Sequence, residues 1–429
     1  MNDLTPQFSM RHELRGEFRV LKVLVFCSSI YLFLQLASMF RLFGVSGIPP
    51  LLLLGYRILD LLVIGSFFLM CRAKLKTRLH DLPLLLMLPL PILIGVGQGN
   101  TNITFFNDII LFMFFILKAI VIRTLILRFM EKTDFDAVFR VYARKIIRRS
   151  ILAAILALFL ALAALSAGIT FYYQAPAELT FAAALALAQG HVPTYLAILA
   201  LAAFGGKRGI LAGIAVVGLL GFLNRKNIVR ALLSFLALGA TLIIALGIFE
   251  DSTSLGNAQA MRRLTGTWIK LTSVANETKG WEEFLLLLDP GRFVEYVSLK
   301  PHLEGWAFWF GNGYGFRYSL DPYFLSNFGI VAIEDTVTNA HFTPLAIMAK
   351  FGVLGLFLWF TQCAAILFSS WNSRSYFQTA CRLGFISMLV QSMFSFNFFI
   401  SFFTPIFIAG ATLRRTGRRL DGGQVACVD

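Results

Sequence analysis

The sequence predicts an all-α, polytopic membrane protein, and three observations lead there. Hydrophobic residues fill 58% of its 429 positions and charged ones only 14%, with a mean hydropathy of +0.75; soluble domains carry about 25% charged residues. Uncharged runs recur from Leu21 to Thr412, and about 20 apolar residues make one crossing of a bilayer. The basic residues lie in short segments beside those runs, the pattern of loops retained on the cytoplasmic side. A soluble enzyme, a disordered chain and a secreted disulfide scaffold are excluded on this composition.

Taken in order, the runs place spans near 21–40, 51–71, 82–97, 109–130, 151–173, 229–249, 352–371, 380–395 and 397–413. The stretch 178–223 is too long for one crossing. Charge parity predicts three short crossings there, broken at Gly190-His191-Val192-Pro193 and around Gly205-Gly206-Lys207-Arg208-Gly209, because only an odd number leaves the basic segments Arg72 to His80, Arg128 to Arg149, Arg225 to Arg230, Arg374 to Arg382 and Arg414 to Arg419 all cytoplasmic; Lys207 and Arg208 then lie on the outer side. The expected result is about twelve helices with both termini cytoplasmic. Three parts follow: a bundle over 1–249, an outer region with interfacial helices over 250–341, and C-terminal helices with a basic tail over 342–429. Asp134 to Arg149 alternates apolar and basic residues at helical spacing and predicts an amphipathic helix on the anionic leaflet. The Ala/Leu-rich tract from Ile151 to Phe204 predicts helix packing through small residues.

The net charge of +15 is unevenly distributed. Between Glu250 and His341 there are seven Lys/Arg against eleven Asp/Glu, which leaves 31 against 12 elsewhere. Basic residues placed beside membrane spans argue for lipid headgroups rather than nucleic acid as their partners. Cys27, Cys71, Cys363, Cys381 and Cys427 lie in or near spans or on the tail, so no disulfide framework is expected. Arg11, Arg15, Arg19 and Lys22 precede a long apolar run without a small-residue cleavage site, so that run reads as an anchor rather than a cleaved leader.

Four of the six tryptophans, Trp268, Trp281, Trp306 and Trp309, fall in the outer region, as interfacial elements require. Within it Asp289-Pro290 opens a helix carrying Arg292 and, four residues on, Tyr296. A second apolar turn follows, then the loop Gly311-Asn312-Gly313-Tyr314-Gly315. That loop lacks the strand of a dinucleotide fold and the Lys-Ser/Thr of a phosphate-binding loop. Asn339 and His341 stand just before an apolar helix that is interrupted at Gly352 and resumes as a span. Each feature has a plainer alternative. Lys207 and Arg208 can snorkel to headgroups, a histidine at a membrane boundary is often structural, and a glycine loop is often only a turn.

Taken together, Arg208 in a Gly-Gly-Lys-Arg-Gly turn, Arg292 with Tyr296, the Gly-Asn-Gly-Tyr-Gly loop and His341 heading a helix resemble the O-antigen ligase and O-antigen polymerase superfamily of bacterial inner-membrane glycosyltransferases. The chain departs from it in having Lys207 before the first arginine and Phe342 after the histidine. The resemblance implies a GT-C-like fold with one large periplasmic loop. It also implies an inverting, metal-independent transfer of a glycan from an undecaprenyl-diphosphate carrier to an acceptor hydroxyl on the periplasmic face. In a ligase that acceptor is lipid A core; in a polymerase it is a growing glycan.

On this reading Arg208 and Arg292 bind the diphosphate, which a guanidinium fork suits better than an ammonium. His341 is the catalytic base. Lys207 adds charge, while Tyr296, Gly311, Gly313, Glu334, Asp335 and Asn339 are further candidates for binding substrate; Glu334 and Asp335 are close enough in sequence to orient His341. No cofactor and no metal are expected, since the outer region has no tight Asp/Glu cluster beyond the pairs Glu250-Asp251, Glu282-Glu283 and Glu334-Asp335. A different class, a lipid-linked glycan flippase or transporter, is suggested by the intramembrane charges Arg57, Asp60, Lys118 and Arg123. A transporter would fail when those charges are neutralised and would tolerate Arg292→Ala and His341→Ala.

Overall fold

Helices make up most of the described residues in a computed structural model, which describes residues 15–37, 48–71, 74–167, 176, 178–204, 208–223, 290–323, 336–368, 375–396 and 398–413. Among the described residues, five helices are long and apolar enough to cross a membrane. These are α1 (Arg15–Ala37), α2 (Ile48–Cys71), α5 (Ile103–Lys132), α6 (Phe135–Ser166) and α12 (Thr343–Phe368). Shorter apolar helices fill the space between them: α3 (Leu82–Leu86), α4 (Pro89–Gly97), α7 (Leu179–Gln189), α8 (Val192–Phe204) and α9 (Arg208–Leu223). After α10 (Pro290–Leu299) and α11 (Trp306–Phe310) a two-stranded antiparallel pair forms, β1 (Tyr318–Ser319) with β2 (Thr336–Val337). The described chain closes with α13 (Tyr376–Ser392) and α14 (Thr404–Ala411).

Periodicity explains the packing. In α6, Ala153, Ala157, Ala161 and Ala164 are fully buried, while Leu152, Ile155, Leu156, Phe159 and Leu162 are exposed. Three- and four-residue steps put the alanines on one face, so backbones approach closely there and large apolar chains turn outward to lipid. The start of this helix differs from expectation. Asp134 to Arg149 does not lie apart on a leaflet but runs straight into the span, with Asp136 capping α13. Its carboxylate accepts from the Tyr376 amide (3.0 Å), the Phe377 amide (3.1 Å) and the Ser375 hydroxyl (2.8 Å). A carboxylate at a helix N-terminus satisfies orphan donors and complements the dipole.

The stretch 178–223 folds as three helices, with a left-handed Gly190 (φ 83°) ending the first. At 11 residues α7 is about 16 Å long, half a hydrocarbon core. Buried without interruption from Leu179 to Leu187, it is an internal helix held by α6, α9 and α13. The expected span near 82–97 is likewise two short helices, each with proline in its first turn. Of the span expected at 397–413, residues 398–403 form turns and bends before the eight-residue α14.

Several charges inside the bundle are paired among the described residues. Lys118 meets Asp60, which Arg57 also reaches at 3.4 Å. The Arg123 guanidinium grips both oxygens of Asp81 (2.6 and 2.8 Å) and donates to Thr412. Arg128 pairs with Glu17, and Lys350 with Asp108. Removing one member of such a pair typically costs about 3–5 kcal/mol, because the other is left buried and alone.

Candidate functional site

Pro290 occupies the first position of α10, where its fixed φ suits a helix start and its missing N–H costs nothing. From there the sequence PGRFVEYVSL turns Val294, Glu295, Ser298 and Leu299 inward. Arg292 and Glu295, three residues apart, share a face, and one Arg292 nitrogen donates to Glu295 Oε1 at 3.1 Å. Its other terminal nitrogen donates to the Phe394 carbonyl at 3.0 Å. Tyr296 is half-buried and packs against the apolar core.

Glu295 also holds His341. Its Oε2 accepts from the His341 backbone amide at 3.0 Å, and Oε1 makes a short hydrogen bond with Nδ1 of the ring. A ring nitrogen facing a carboxylate oxygen carries the proton, so neutral His341 has Nδ1–H inward and its basic nitrogen at Nε2. The His341 side chain is 63% exposed and that of Glu295 only 7%. The imidazole is therefore anchored from below and open above.

A turn after α13 joins the remaining parts. Phe394 receives Arg292, and its Cβ would lie 2.9 Å from a Cβ added to Gly209, the second residue of α9. The next carbonyl, Ser395, accepts from Thr343 at the start of α12 at 2.8 Å. Arg208 is the first residue of α9 and so begins against the same turn. Arg292 and His341 are thus brought together through Glu295; Gly209, the neighbour of Arg208, meets the turn that receives Arg292, and the Arg208 side chain lies outside what the structure describes. Lys207, Glu334 and Asp335 lie outside the described residues. Asn339 sits two residues before His341, and its Oδ1 is buried without a partner among the described residues.

The glycine loop plays a different part. Gly352 breaks α12 with φ 64° and ψ −164°. A helical carbonyl accepts from the amide four residues on, so the break releases those of Ala349 and Lys350. Asn312 N and Gly313 N take them, at 2.9 and 3.0 Å. A Cβ on Gly311 would overlap the Lys350 carbonyl and one on Gly313 the Gly95 backbone, and both residues have positive φ. Gly315 N donates to Asp108, which in turn holds Lys350 at 2.7 Å from each oxygen. The amides of Gly311 and Gly313 donate to the carbonyls of Ala307 and Lys350, so in this structure the loop fills the break in α12.

Sequence reasoning misses two residues. Glu295 carries a weak signal, its place three residues after Arg292, whereas proximity in sequence points to Glu334 or Asp335 for the orienting role. Tyr318 carries none. It is 3% exposed, its hydroxyl finds no partner among the described residues, and burial first, then Glu295, push its phenol upward while Arg292 pulls it down. Among the described residues no three His, Cys, Asp or Glu side chains gather as a metal-holding group. Compared with protein-family models, curated proteins and solved structures, the chain matches none.

Proposed function

We propose that the chain is a multi-pass glycosyltransferase of the bacterial inner membrane. It would move a glycan from an undecaprenyl-diphosphate carrier to an acceptor hydroxyl on the periplasmic face, as an O-antigen ligase with lipid A core as acceptor. The observation that carries this reading is the shared carboxylate of Glu295, which sets a guanidinium and an outward-facing imidazole side by side. In the proposed step the acceptor oxygen attacks the anomeric carbon as its proton passes to His341 Nε2. The bond from that carbon to the phosphate oxygen breaks, and its electron pair leaves with undecaprenyl diphosphate. Arg292, with Arg208, neutralises the diphosphate, a leaving group stable enough to need neither a metal nor a general acid. One displacement inverts the anomeric centre, and the proton on His341 then passes to water. The charges that suggest transport, Arg57, Asp60, Lys118 and Arg123, are accounted for by buried pairing.

The purified chain, given lipid-linked glycan and lipid A core in the presence of a chelator, is expected to transfer glycan, and His341→Ala to slow it by about 10²- to 10⁴-fold. Full activity of His341→Ala would overturn the reading. In the native host, bare core from His341→Ala supports a ligase, while core bearing a single repeat supports a polymerase that extends the glycan. Unchanged lipopolysaccharide and exopolysaccharide would count against both.

A further inference from the structure

We propose that Glu295 is a positioning residue with two linked tasks: it fixes the imidazole of His341, and it occupies Arg292 until a diphosphate displaces it. The inference rests on the function proposed above and extends it to the order of events. Glu295 Oε1 is shared between the Arg292 guanidinium, 3.1 Å away, and Nδ1 of His341, while Oε2 is engaged by the His341 amide. Three donors on one carboxylate divide its charge. A diphosphate reaching Arg292 competes for that guanidinium with an anion already in place. Once Arg292 turns to phosphate, Oε1 belongs to His341 alone, and the carboxylate holds the Nδ1–H tautomer and supports the charge that His341 gains in accepting a proton. Donor binding therefore primes the base, which favours donor before acceptor and keeps the base idle in its absence.

The geometry also fixes opposite signs for binding and turnover. Glu295→Gln keeps the shape and an acceptor for His341 but removes the anion that competes at Arg292. It is expected to bind undecaprenyl diphosphate more tightly, by up to about fivefold, the scale of a part-exposed ion pair. Turnover at saturating donor is expected to fall by roughly tenfold or more. His341→Ala sits at an exposed position, so the fold does not depend on it. It leaves Oε1 wholly to Arg292 and is expected to weaken undecaprenyl diphosphate binding by a similar factor. The experiment measures binding of undecaprenyl diphosphate to the full-length protein in detergent for wild type, Glu295→Gln, His341→Ala and Arg292→Ala, together with kcat and donor KM for the first two. A merely structural Glu295 would weaken binding and slow turnover together, and that result overturns the inference, as does His341→Ala binding as tightly as wild type or tighter. If wild type fails to bind undecaprenyl diphosphate, or Arg292→Ala binds it equally well, the proposed function itself fails instead.

Discussion

Glu295 holds His341 at two points, through the backbone amide at 3.0 Å and through Nδ1 of the ring. Two contacts to one carboxylate determine both where the residue stands and which way its ring faces. This arrangement ties the start of α12 to α10, across 46 positions of sequence.

Arg292→Lys tests whether the fork geometry matters. The guanidinium reaches Glu295 and the Phe394 carbonyl with two different nitrogens, and a single ammonium cannot copy that spacing. Loss of one charge-assisted hydrogen bond is worth about 1.5–3 kcal/mol, so undecaprenyl diphosphate binding should weaken by roughly 10- to 150-fold. Titration of the purified variant measures this.

Gly313→Ala and Gly99→Ala separate strain from space. Both residues have positive φ, 77° and 73°, but a Cβ on Gly313 meets the Gly95 backbone whereas one on Gly99 meets nothing within 4 Å. Gly99→Ala should cost only the left-handed conformation, about 1–2 kcal/mol. Gly313→Ala should cost distinctly more and lower the thermal midpoint in detergent further. Equal midpoints would mean that the loop is not wedged into the α12 break.

The Lys350 and Asp108 pair yields a double-variant cycle. Lys350→Met alone leaves a buried carboxylate unpaired and should destabilise by about 3–5 kcal/mol. Adding Asp108→Asn removes that charge and keeps an oxygen for the Gly315 amide, so the double variant should recover most of the loss. Denaturation midpoints of the three variants against wild type decide it.

Tyr318 makes alkaline stability testable. Burial and Glu295 raise its phenol above the ordinary 10.0, so the folded chain holds that proton more tightly than the unfolded one. The resulting stabilisation is complete below pH about 10 and is lost as the pH rises beyond it. Tyr318→Phe should lose less stability than wild type between neutral pH and about pH 11, read as thermal midpoints. It should also show no penalty at neutral pH, because the hydroxyl it removes is buried without a partner among the described residues.

Much of the fold is legible in the residues themselves. Hydropathy and length identify α1, α2, α5, α6 and α12, because lipid demands long apolar helices whatever packs beside them. Proline and glycine mark the start of α10, the end of α7 and the break in α12, since those residues act on the backbone locally. The i, i+3 spacing reveals Arg57 with Asp60, a contact one helix makes alone.

What the amino-acid order determined by itself is therefore the membrane class, the long helices and the local breaks, all consequences of backbone chemistry and transfer from water to lipid. Tertiary structure alone decided that Lys118 completes the Asp60 pair, that the glycine loop answers the carbonyls freed at Gly352, and that Glu295 stands beneath His341. Those contacts join residues tens to hundreds of positions apart. No sequence period encodes them, and they exist only once separate helices bring their polar groups within about 3 Å of one another.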